Sequence, residues 1–117
     1  MPTPSIGARL ARVAVPALLL APFFAGCEHY SPEETLWRKH CADCHGIDAS
    51  GNTPRYMGNQ WADLLDNSWK SGSGDEYSIA AVIREGVFGE MPANTQLSDQ
   101  EVSQIVDWLF HLRGEGR

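Results

Sequence analysis

Apolar positions between residues 31 and 45 fall on one side of a helix: Leu36, Trp37, Cys41 and Cys44 recur at spacings of three and four. The start of that helix is marked by "SPEE", with Ser31 as N-cap, Pro32 at the first helical position and Glu34 closing a capping box. It is expected to run into "CADCH". Residues 47–58, "IDASGNTPRYMG", carry Gly, Asn, Ser and Pro with no period and read as a loop. Trp61, Leu64, Leu65 and Trp69 predict a short second helix, which "KSGSGDE" ends, and a third helix follows from about Tyr77 to Glu85, stopped by Gly86. The last helix has the clearest pattern. Ser98 and Glu101 form a capping box, Val102, Ile105, Val106 and Leu109 make the apolar stripe, and Gly114 stands as the stop. No strand-like alternation of useful length occurs, so the fold class expected is all-α.

The first 26 residues have a different character. Arg9 and Arg12 precede the uncharged run "VAVPALLLAPFFA", a charged segment followed by an apolar one of export-signal length. The run is too short to span a bilayer as a helix, and Pro16 and Pro22 interrupt it. Its end, "FAGC" at residues 24–27, resembles the bacterial lipobox, in which small residues precede a cysteine that is acylated and becomes the new N-terminus. The resemblance implies a lipid on Cys27, although the motif usually has Leu where Phe24 stands. Ordinary cleavage nearby, with Cys27 left as a free thiol, is the plainer alternative. The division expected is a leader at 1–26, a short tether at 27–32 and one folded domain at 33–114, held at a membrane surface by acyl chains that insert without spanning.

Charge narrows the partners. Of the nine Lys and Arg in the chain, Arg9 and Arg12 leave with the leader, so seven basic side chains face fifteen acidic ones, a formal −8. No basic patch is available for nucleic acid. The acidic excess suits either solubility or steering towards a basic protein surface.

The chemistry lies in "WRKHCADCHG", residues 37–46. Cys41, Cys44 and His45 admit four readings: structural zinc, redox dithiol, disulfide or haem attachment. Zinc needs four protein ligands, and the chain has no second C-x-x-C or H-x-x-x-H pair. A thioredoxin-like dithiol belongs at the end of a strand in a βαβ unit, and no strand is expected. A disulfide within one helical turn explains neither His45 nor the shortage of core. About ninety residues divided into four or five short helices struggle to fill an interior with side chains alone, and a buried haem supplies that interior. C-x-x-C-H is the c-type attachment sequence, in which two thiols add to two vinyl groups and the adjacent His faces the iron.

A haem held by His45 on one face calls for a ligand on the other. Met91, in "GEMPANTQLSDQE", sits in a polar loop that Pro92 stiffens, where core packing is a poor account of a methionine. Met57 is the rival, only twelve residues from His45. His29, His40 and His111 are further conceivable ligands, but lone histidines are more often surface or packed residues.

These motifs together resemble a class I cytochrome c from Cys41 to Leu112: "CADCHG", then "MPA" after a Gly-ended helix, then "LSDQEVSQIVDWLFHL" as the C-terminal helix. The resemblance implies a single covalent haem c wrapped by four to five short helices, with the N- and C-terminal helices crossing at Trp37 and Trp108. It implies that His45 and Met91 bind the iron. It also implies that the Pro54 carbonyl, as in small bacterial cytochromes c, accepts the Nδ1 hydrogen of the ligand His. Glu33 departs from the pattern, standing eight residues before Cys41 where the family often has Gly for a close helix crossing. "LLDNSWKSG" to "IREGVFGEMPA" is similar to the haem domains of cbb3-type haem–copper oxidase subunits, with Leu64, Asp66, Asn67, Trp69, Gly72 and Met91 in matching places.

Two axial ligands leave no open position for a substrate. The function expected is therefore outer-sphere electron transfer between a redox donor and acceptor, not catalysis, in a periplasmic cytochrome of a respiratory or related chain. Trp61, Trp69 and Arg55 are candidates to hold haem propionates. With Met91 displaced, the same fold becomes a ligand-binding sensor or a peroxidase-like protein, though no dedicated acid or base is evident beside Met91. A subunit of a larger oxidoreductase complex is a further possibility.

Overall fold

Ser31 begins the first element as its sequence requires: its hydroxyl accepts the Glu34 backbone N–H at 3.2 Å, with Pro32 at the first helical position. The return half of the expected box is absent. The Glu34 carboxylate turns instead to Arg38, 2.9 Å from its Nε and 2.8 Å from Nη2. The resulting helix α1 spans Pro32–His40. It does not run unbroken through the cysteine motif: Cys41 leaves helical geometry at φ −123°, and a separate single turn, α2, follows at Ala42–His45. Helix α3 covers Glu76–Glu85 and α4 covers Asp99–Leu112. This computed structural model describes residues 27–116 together with residues 2, 3, 7, 14 and 16, so the expected leader lies almost wholly outside the described residues. Among the described residues there is no strand, only an isolated bridge between Val87 and Met91, and no helix long and apolar enough to cross a membrane.

The core is the contact between α1 and α4. Trp37, 2% exposed, packs with Val102, Ile105, Val106 and Leu109 of α4, and Ile79 and Ile83 of α3 close the cluster. Trp108 is half-buried against its edge. Glu33 is only half-buried and does not prevent this packing. Both caps of α4 are as the sequence reads: the Ser98 hydroxyl accepts the Glu101 N–H at 3.1 Å while the Glu101 carboxylate accepts the Ser98 N–H at 2.8 Å. At the other end Gly114 donates to His111 and Glu115 donates to Phe110, a Schellman closure.

The expected helix at Trp61 to Trp69 does not form. Three side chains capture backbone N–H groups two residues ahead: Asn59 takes Trp61, Asp63 takes Leu65 and Asp66 takes Ser68, each at 2.9 Å. Such local bonds compete with the helix ladder and favour turns. Of the four apolar residues spaced there, Trp61, Leu64 and Trp69 line the cavity described below, and Leu65 is exposed.

Candidate cofactor site

Between α1, α2, α3 and α4 lies a cavity of about 1020 Å3, counted with its open mouth. Its walls are mainly apolar, with Trp37, Ile79, Ile83, Ile105 and Leu109 among them, and Cys41, Cys44, His45 and Met91 all face it.

One helical turn presents the first three donors. The Cys41 carbonyl accepts from His45 N at 3.0 Å and from Cys44 N at 3.3 Å, which sets Cys41, Cys44 and His45 on the same side. Neither cysteine is in a disulfide. Burial, with the neighbouring Cys44, pushes the Cys41 thiol up to about 12, so it is a neutral thiol. The Trp37 indole anchors the end of the turn by donating to the Gly46 carbonyl at 2.9 Å.

His45 is held by a partner that the sequence did not disclose. Its Nδ1 donates to the Ala62 carbonyl at 2.9 Å. Pro54 does not serve; it is exposed and lines a separate shallow groove on the outside of the domain. Ala62 reaches the imidazole because the backbone after the motif folds against it. Gly51 N donates to the His45 carbonyl at 2.7 Å, and Leu64 N donates to the Ala49 carbonyl at 2.8 Å. Gly51 has φ +72°, and a Cβ there would meet the Ala62 carbonyl carbon at 2.6 Å, so only glycine allows this approach. Burial lowers the His45 pKa, opposed by the Ala62 bond. The result is a neutral imidazole with Nδ1 occupied and Nε2 free as a donor to a metal.

Met91 enters from the loop after α3. Val87 N donates to the Met91 carbonyl at 2.8 Å and Met91 N returns to Val87 at 2.9 Å, while the Asn94 N–H and its side-chain amide both donate to the Ile83 carbonyl. Gly86, φ +71°, lets this loop fold back, since a Cβ there would collide with the Met91 carbonyl. Met57 is 71% exposed and lines no part of the cavity. His29, His40 and His111 also stand outside it, and His111 stacks on Trp108 with ring centroids 4.8 Å apart.

Of the other sequence candidates, Trp61 and Trp69 line the cavity, whereas Arg55 is exposed and lines neither groove. A cation does stand at the site: Lys70, which lies 5.8 Å from the Trp61 ring centroid and pairs with Glu90. The signal for it was its place directly after Trp69. Glu90 is also the acidic neighbour of Met91 that sequence reading passed over, and it is engaged by Lys70.

The donor set and the walls fit a haem. Two free thiols three residues apart, a neutral imidazole and a thioether share one apolar cavity. Among the described residues, no three His, Cys, Asp or Glu side chains converge to hold a bare metal ion, which removes the zinc reading.

Comparison with known proteins agrees. The chain matches the family described as cytochrome c oxidase, cbb3-type, subunit III, over residues 30–109. The cbb3-type cytochrome c oxidase subunit CcoP of Cereibacter sphaeroides is 29% identical over 92 residues, which cover 68% of this chain and 29% of that protein. The subunit FixP of Rhizobium meliloti is 34% identical over 80 residues, covering 68% of this chain and 26% of that protein. The chain thus spans less than a third of the length of these relatives. Among solved structures, the KustC0563 c-type cytochrome superposes with a TM-score of 0.54 at 28% identity, covering 73% of this chain and 98% of that one. A chain of the Kuenenia stuttgartiensis reducing HAO-like protein complex Kustc0457/Kustc0458 shares the fold, with a TM-score of 0.60 at 20% identity over 73% of this chain and 43% of that one. The all-α architecture is that of a cytochrome c, and the cofactor is one covalently attached haem c with its iron. This chain belongs to the cbb3-type cytochrome c oxidase subunit III family of c-type cytochrome domains.

Proposed function

We propose that this chain is a periplasmic monohaem electron carrier, anchored to a bacterial membrane by a lipid on Cys27. When bound, haem c supplies a one-electron iron centre. Cys41 and Cys44 would hold it through thioethers, and His45 Nε2 and the Met91 sulfur would be the donors to its iron. The observation that carries this reading is the meeting of these four side chains in one apolar cavity, with the imidazole already oriented by Ala62.

Each residue has a task in electron transfer. The Ala62 bond fixes the tautomer and ring plane of His45 and raises its basicity as a ligand. A neutral thioether opposite favours the reduced metal relative to a second nitrogen donor, and so raises the potential. Apolar walls keep water from the metal and limit reorganisation between oxidation states. With His45 and Met91 both engaged, the domain would exchange electrons with a redox donor and acceptor without bond-making. Trp61, Trp69 and Lys70, at the same cavity, supply N–H and cationic partners for acidic groups of the cofactor.

A second reading has support from the family match, since the matched relatives are oxidase subunits: the domain serves as the cytochrome module of a larger oxidoreductase. The Cys27 tether is compatible with either. A redox-monitored absorption spectrum of the protein made with a haem-attachment system tests the common core of both. One covalent haem c with a low-spin His/Met signature is expected, and a high-spin, ligand-accessible iron in the resting protein counts against it.

A further inference from the structure

Arg113 lies outside the 30–109 span of the family match, yet its side chain is only 6% exposed. It stands at the C-cap of α4 and reaches back across almost fifty residues of sequence. Nη1 donates to the Asp66 carbonyl at 2.8 Å and also to the Leu64 carbonyl. Nη2 donates to Asn67 Oδ1 at 2.9 Å and to Glu115 Oε1 at 3.2 Å. The guanidinium carbon lies 5.1 Å from the centroid of the Trp69 ring, and the buried Nε has no partner.

The segment that Arg113 grips has no helix or strand of its own. Apart from its Asx turns, residues 64–69 depend on neighbours for their position. Two of those residues, Leu64 and Trp69, form part of the cavity wall. Lys70 follows directly and pairs with Glu90, the residue before Met91. Contacts therefore run without a gap from the end of α4, through the 64–70 segment, to the loop that bears Met91. Only a planar fork can serve two carbonyls and an amide oxygen while stacking on an indole; a lysine ammonium offers one point of charge on a flexible stem.

We propose that Arg113 is a positioning residue: it fixes residues 64–69 as a wall of the haem cavity and thereby sets the reduction potential and the firmness of the Met91 bond. The proposal rests on the assignment of this cavity to the haem. A looser wall admits water, which favours the more highly charged ferric state and lowers the potential. It also loosens the Lys70 tie to Glu90 and makes Met91 easier to displace.

The test uses the haem-loaded protein with Arg113→Lys, Arg113→Ala and Asn67→Ala. Covalent haem is verified by mass, the potential by redox titration, and the hold on Met91 by titrating the ferric protein with imidazole. All three variants are expected to keep covalent haem. Arg113→Lys, with its charge intact, lowers the potential and binds imidazole several-fold more tightly; Arg113→Ala does so at least as far. Asn67→Ala moves both in the same direction by less, and decides the matter if the Arg113 variants fail to fold. Wild-type potential and imidazole affinity in Arg113→Lys would mean that charge alone matters, and would overturn the proposal. A lowered melting temperature with both readouts unchanged would overturn it too, leaving a helix-end stabiliser. Failure of the wild type to acquire covalent haem would strike the cofactor assignment instead.

Discussion

The Nδ1 hydrogen of His45 is donated to the carbonyl of Ala62, 2.9 Å away and seventeen residues later in sequence. The bond joins the attachment motif to the loop that carries Trp61 and Leu64, so the orientation of the imidazole and the shape of the cavity wall are set together. It depends on Gly51, whose bare Cα lets the Ala62 backbone approach.

Gly51→Ala should therefore displace Ala62 and weaken the His45 bond. A non-glycine residue at positive φ costs about 1–3 kcal/mol, and the collision with Ala62 adds to it. A less basic imidazole stabilises ferric iron less, so the potential should rise. Denaturant melts and redox titration of the loaded protein check both effects; an unchanged midpoint and potential would mean that the Ala62 contact is incidental.

Replacing either attachment cysteine tests the dependence of the fold on its cofactor. Cys41→Ala or Cys44→Ala removes one thioether and should weaken or abolish covalent retention, leaving haem-free chains poorly folded because the cavity is then an unfilled part of the core. Native mass spectrometry that finds compact haem-free protein in quantity would speak against this.

The last helix with both its caps, the Ser31 start of the first helix and the cofactor motif were legible in the sequence, because each is written locally; the break at Cys41 and the turn of Glu34 to Arg38 were not. Ser98 and Glu101 lie within one turn, as do Cys41, Cys44 and His45. The place of Met91 at the cavity was suggested by its position as a methionine in a polar loop. What could not be read was long-range or competitive. Ala62 carries no side-chain signal, since its role is that of a backbone carbonyl, and the proline-based expectation at Pro54 failed for that reason. Trp61 to Trp69 has helical spacing, but Asn59, Asp63 and Asp66 divert its N–H groups into turns, which apolar periodicity does not register. Arg55 was preferred for its charge, while Lys70 and Arg113 acquire their places only when the chain folds back.

Acid stability should carry a mark of Asp75. Its carboxylate accepts from the Ser73 hydroxyl, then from the Ser78 backbone and hydroxyl and the Tyr77 N–H, which holds its pKa well below the usual carboxylate range. A depressed folded-state value means that the stabilisation is complete above the unfolded value and is lost as pH falls through the folded one. Melting temperatures of wild type and Asp75→Asn should thus converge as pH is lowered from about 4 to about 2. Parallel curves over that range would remove Asp75 from the acid response.

The membrane attachment proposed above is through Cys27, which is exposed and four residues before the Ser31 cap. On that proposal, Cys27→Ala should move the protein from the membrane fraction to the soluble periplasmic fraction, because it removes the site of acylation. Cleaved Cys27→Ala protein that stays with the membrane would assign the attachment to another contact.

The central claim is that His45 and Met91 close the iron to substrates and make the domain an electron carrier. The most direct measurement follows the weak red-end absorption band of a thioether bound to ferric iron in wild type, Met91→Ala and Met57→Ala, together with carbon monoxide binding to the ferrous forms. The band should be present in wild type and Met57→Ala and absent in Met91→Ala, which alone should have a lowered potential and bind carbon monoxide readily. A wild-type protein that lacks the band and binds carbon monoxide rapidly at neutral pH would contradict the account and make this a ligand-binding haem protein.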